Sequence, residues 1–123
     1  MFSKVLLPES VTRQDGAGPE VALEEGSTTL LLTLGITRII EKEILDVSVW
    51  GSSDGHQWNQ LAAFPRKFYC GTYSMVLDLA HNPGIKDIRA QWKLGTWDLQ
   101  EPKSVLSFYL HGEEVKYQQA GAA

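Results

Sequence analysis

The clearest pattern in the chain is alternation. From Thr28 to Thr37, Leu30, Leu32, Leu34 and Ile36 share one face, while Thr29, Leu31, Thr33 and Thr37 share the other. Successive side chains of an extended strand point to opposite faces, so this segment predicts a strand with a core side and a mostly threonine side. Leu45, Val47 and Val49 alternate with Asp46, Ser48 and Trp50, and predict a strand over 44–50. Just before it, Ile36, Ile39, Ile40, Ile44 and Val47 also fit one helical face, which leaves a helical turn near 38–43 as an alternative. Tyr73, Met75, Leu77 and Leu79 alternate with Ser74, Val76 and Asp78. Ile88, Ala90, Trp92 and Leu94 do so with Asp87, Arg89, Gln91 and Lys93, and Leu106, Phe108 and Leu110 with Ser107, Tyr109 and His111. Residues 1–27 read as a loop-rich lead-in with one apolar island at Val21–Leu23, 95–103 as a loop, and 117–123 as a flexible tail.

Turn chemistry separates these runs. "VWGSSDGHQW", residues 49–58, carries Asp54-Gly55, a hairpin signal because glycine tolerates positive φ and aspartate bonds its own backbone. Trp58 restarts the chain beyond the turn, where its ring is expected to close one end of the core. His81-Asn82-Pro83-Gly84 is a second turn by composition. Short strands with turn signals at intervals of roughly ten residues predict an all-β fold: a single antiparallel β-sandwich, jelly-roll-like, over residues 1–123. Its expected core is Leu32, Leu34, Val47, Val49, Leu77, Ile88, Trp92, Phe108 and Leu110.

Composition narrows the function. Hydrophobic residues make up 43% and charged residues 21%, a globular balance. Fifteen acidic against eleven basic side chains give a net charge of -4, and no cluster of Lys and Arg suits a nucleic acid; Arg66-Lys67 is too short. No apolar run is long enough for a membrane-spanning helix or a signal peptide, so a cytoplasmic or virion-associated protein is expected. Cys70 is the only cysteine and excludes an internal disulfide.

Catalytic and cofactor chemistry finds no foothold. His56, His81 and His111 are scattered without metal-ligand spacing. Cys70, between Tyr69 and Gly71, reads as a buried small hydrophobe and not a thiol nucleophile. No glycine-rich phosphate loop opens a helix, and Glu113 and Glu114 are adjacent on a strand and point to opposite faces. A non-enzymatic protein without cofactor or metal is expected.

The Ser52-Ser53-Asp54-Gly55-His56-Gln57-Trp58 stretch resembles the S-x-D-G-x-x-W strand-turn of discoidin-like, galactose-binding-like β-sandwiches. Ile85 to Trp92 resembles a core strand of that family, and Phe108 to Glu114 its closing strand. The same segments are similar to small β-sandwich proteins of phage structural gene clusters. The resemblance implies a sandwich that binds without catalysing.

Two partner classes follow. Strand parity turns Trp50, Arg89, Gln91, Tyr109 and His111 away from the core, a mixture that suits a protein interface. Through such a face the chain is expected to self-associate, most simply as a dimer, or to dock on a larger protein assembly. The alternative is a carbohydrate-binding module whose end loops offer His56, Trp58, Tyr69 and Trp97 to sugar rings.

Overall fold

A computed structural model describes residues 3–12, 15–23, 29–39, 43–81, 84–96 and 106–115. Nine strands and one 3-10 turn account for most of them: β1 (Ser3–Thr12), β2 (Gly16–Ala17), β3 (Val21–Ala22), β4 (Thr29–Arg38), β5 (Glu43–Ser52), β6 (Asn59–Ala63), β7 (Gly71–Asp78), the 3-10 turn Leu79–His81, β8 (Asp87–Thr96) and β9 (Leu106–Glu114). They form two antiparallel sheets. Sheet A has the order β1-β9-β4-β7, and sheet B the order β2-β8-β5-β6, with β3 also paired to β8.

The pairings nest. β5 pairs with β6, β4 with β7, β2 and β3 with β8, and β1 with β9. The chain is thus one long hairpin folded back at the β5–β6 turn, then rolled so that β4 also meets β9 and β5 meets β8. This is the jelly-roll plan, and the expected all-β sandwich is the observed one.

Alternation determines what each sheet turns inward. Leu30, Leu32, Leu34 and Ile36 of β4 and Leu106, Phe108 and Leu110 of β9 are buried beneath sheet A. Leu45, Val47 and Val49 of β5 and Ile88 and Ala90 of β8 are buried beneath sheet B. Every residue of the expected core lies in this cluster, Trp92 as a partly buried member packed against it. Its ring meets Phe108 edge-on, with centroids 5.8 Å apart at 75°, and so joins the two sheets.

The lead-in and the middle depart from expectation. Residues 3–12 are an edge strand, not a loop, and put Leu6 and Leu7 into the core. Pro8 explains the misreading: it cannot donate to a ladder and is tolerated on an edge, here inside a register shift between Leu7 and Ser10. That irregularity, with another between Val5 and Leu7, lets two consecutive leucines both be buried. β5 begins at Glu43 and β4 ends at Arg38, so the proposed helical turn near 38–43 has strand at both ends, and 40–42 lie outside the described residues. Cys70 is exposed, contrary to the buried reading, because the 64–70 crossing to β7 runs over the surface.

Phe108→Ala is expected to cost about 3–5 kcal/mol, since it removes both core volume and the ring that Trp92 packs against. Chemical denaturation measures it; a loss below about 1 kcal/mol would show that the sheets are not joined there.

Candidate functional site

The β5–β6 turn is built by two side chains. Asp54 Oδ1 accepts hydrogen bonds from the amides of His56 (2.8 Å) and Gln57 (2.9 Å) and from the Ser52 hydroxyl (3.0 Å). Ser52 Oγ in turn accepts from the amides of Gly55 (2.8 Å) and Asp54 (3.2 Å). Gly55 adopts φ of 78°, which a β-branched residue resists. The Gln57 and His56 amides, then Ser52, stabilise the charged form of Asp54 and lower its pKa from 3.8 to about 2. The motif that resembles a ligand loop therefore spends its carboxylate on its own backbone. Ser52 is buried, while His56 is exposed at the turn.

Trp58 does not close the core. It stands at the start of β6 with the Arg89 guanidinium over its ring, 5.3 Å from the centroid, a cation–π contact that spans sheet B's outer face. Trp50 lies opposite Arg89 across the β5–β8 pair, and its Nε1 donates to Ser48 Oγ at 2.9 Å. Gln91 lies opposite Ser48. Trp50, Arg89 and Gln91 thus do come together, on the outer face of sheet B.

Tyr109 and His111 do not join them. Both belong to β9 and face outward from sheet A, on the other side of the sandwich. Strand parity predicts one outward set of five; the fold divides it, because β8 and β9 lie in different sheets. Tyr109 lies against Gly35, where an added Cβ would collide with its ring. His111 sits between Thr33 of β4 and Val5 of β1. Val5 is 56% exposed and Val76, on β7 beside Leu31, is 49% exposed; both are on sheet A's outer face. Strand alternation already marks Val76 as outward, but Val5 was hidden by the unread strand β1.

The alternative end-loop set is divided as well. His56 and Trp58 flank the β5–β6 turn, whereas Tyr69 follows Lys67, which bridges to Leu45 at the far end of β5. Trp97 lies outside the described residues. The 64–70 crossing is held by Tyr73, whose hydroxyl donates to the Tyr69 carbonyl at 2.8 Å while Lys67 Nζ sits 4.0 Å from its ring centroid. Sequence reasoning also missed the ion pair of Asp46 with Arg66, two bonds of 3.0 and 3.1 Å on the outer face of sheet B. Their separation of twenty residues carries no local signal. Among the described residues no cluster of three or more His, Cys, Asp or Glu side chains could hold a metal, and no helix is long and apolar enough to cross a membrane.

No protein-family profile and no curated protein matches the chain. By fold it is similar to a chain in the structure of infectious bursal disease virus, Gt strain, with a TM-score of 0.57 and 11% identity. A chain in the structure of the Gx strain gives a TM-score of 0.52 at 11% identity. Each likeness covers 90% of this chain and 31% of the viral one, so the chain spans about a third of their length. At that identity the shared property is the sandwich itself.

Asp54→Ala should lower the melting temperature at neutral pH. The folded pKa is depressed, so the stabilisation is present above 3.8 and lost as pH falls toward 2. The gap between wild type and variant should therefore close over that interval; a gap constant with pH would mean the carboxylate is not its source. Gly55→Val should cost about 1–2 kcal/mol at any pH, through its positive φ.

Proposed function

We propose that the protein is a non-catalytic structural module that associates with copies of itself within a larger, virion-type assembly, through the outer face of sheet A. The observation that carries this reading is Val76. It is half-exposed on β7, a strand that among the described residues pairs only with β4. Natural edge strands are blunted by lysine, proline or bulges. β7 has none of these: its eight residues, Gly71 to Asp78, pair with β4 in unbroken register and carry no charge before Asp78. Covering it removes a hazard and buries an aliphatic side chain at once.

The rest of the face suits the same role. Leu31, Tyr109 and His111 stand between Val76 and Val5, a mixture of aliphatic, aromatic and hydrogen-bonding groups of the kind interfaces favour. A two-fold dimer is the simplest arrangement, because it sets one such patch against another. The fold likeness to chains of a virus structure supports the larger assembly, since double-sheet jelly rolls recur among viral capsid domains. The carbohydrate alternative by way of the end loops loses its support with the separation of Tyr69 from His56 and Trp58.

Light scattering on size-exclusion fractions tests this. The wild type should run as a dimer or larger species. Val76→Lys should weaken association at least about tenfold, or ~1.4 kcal/mol, with an unchanged far-ultraviolet spectrum. A wild type that stays monomeric at high concentration, or a variant that assembles as wild type does, would overturn it.

A further inference from the structure

Sheet B's outer face carries a groove that the assembly reading does not use. After β6 the chain leaves the ladder at Pro65 and Arg66, then returns to bridge Lys67 to Leu45. Beside that departure lies a concavity of about 490 Å³, within the usual range of small-ligand sites. Trp50 is one wall. Its bond to Ser48 runs back along its own strand and holds the indole along β5. Gln60 lines the groove from β6 and Gln91 from β8, the strands on either side of β5. At the other end are Asp46 with its partner Arg66, and Lys93, which faces Asp46 across the β5–β8 pair.

We propose that this groove binds a saccharide, with one pyranose ring stacked on Trp50 and its hydroxyls held between Gln60, Gln91 and the Asp46–Arg66 pair. The lining selects this class. A sugar hydroxyl donates and accepts at the same time, and each carboxamide does the same. The axial and equatorial C–H groups of a pyranose form apolar patches that a fixed indole covers at little entropic cost. The Asp46 carboxylate and Arg66 guanidinium pair through two hydrogen bonds, which presents an acceptor and donors together at one end of the groove. The groove has apolar lining too, Trp50 and Ala63 among it, but an apolar peptide anchor seated there would leave the two carboxamides and the Asp46–Arg66 pair without ligand partners. A phosphate would meet a carboxylate among the cations, where phosphate sites gather donors alone. The site is distinct from the end-loop aromatics and from the face proposed for assembly, and neither is needed for it.

The test is a titration of ¹⁵N-labelled full-length protein, read at the Trp50 indole and the Gln60 and Gln91 side-chain amides. The probes are neutral gluco-, galacto- and manno-configured trisaccharides, trigalacturonate, and adenosine monophosphate. At least one saccharide should shift all three reporters together and saturate. Trp50→Ala should weaken that binding at least about tenfold and Gln91→Ala severalfold, while Tyr109→Ser on the opposite face leaves it unchanged. Gln91→Ala keeps the test open should Trp50→Ala not fold. The proposal is overturned if no saccharide moves these signals at millimolar concentration, if the Gln91→Ala protein binds as wild type does, or if only the nucleotide binds. Val76→Lys protein should give the same result, which separates this outcome from that of the assembly reading.

Discussion

Everything in this sandwich is hung from one chain reversal. The Asp54 carboxylate and the Ser52 hydroxyl between them hold the amides of residues 54 to 57, and so fix where β5 ends and β6 begins. That pairing is the innermost of four nested ones. A slip of one residue there would turn every core side chain of β5 toward solvent, since the side-chain period is two. Trp50 and Val49 would exchange places, and Trp92 would lose its neighbour Val47. The turn is thus a constraint on register, which explains why the Asp54 carboxylate of a motif similar to a ligand loop is taken up by its own backbone.

From that constraint the two outer faces acquire different characters. Sheet A shows Val76, Leu31, Tyr109 and Val5, with the tyrosine ring packed against Gly35. Such a mixture of aliphatic and aromatic groups suits another protein. Sheet B shows polar and charged groups around a fixed indole, with Arg89 stacked on Trp58 at its far end. A concave, hydrogen-bonding surface of that kind suits a small polar ligand. The two proposed activities would need no coupling, because the core of Trp92, Phe108 and their neighbours lies between the faces.

Alternation made β4, β5, β8 and β9 legible, because half-buried strands expose one face and the period of two is then visible in the residues. β1 escaped because Pro8 and two register shifts break its alternation, and β6 because Asn59 to Ala63 buries almost nothing. Parity also told correctly that Trp50, Arg89, Gln91, Tyr109 and His111 turn outward. It cannot tell which sheet a strand joins. That is decided by long-range pairing, with β8 against β5 and β9 against β1 and β4. The Asp46–Arg66 pair was invisible for the same reason: the ladder, not sequence proximity, brings it together.

The central claim is that the two faces are functionally separate and that association uses sheet A. Hydroxyl-radical footprinting at rising protein concentration tests it most directly, because it reports side-chain exposure residue by residue. The account predicts that oxidation of Tyr109 and His111 falls as the protein concentrates, while that of Trp50 and Trp58 stays constant. Protection of Trp50 and Trp58, with Tyr109 and His111 unchanged, would contradict it.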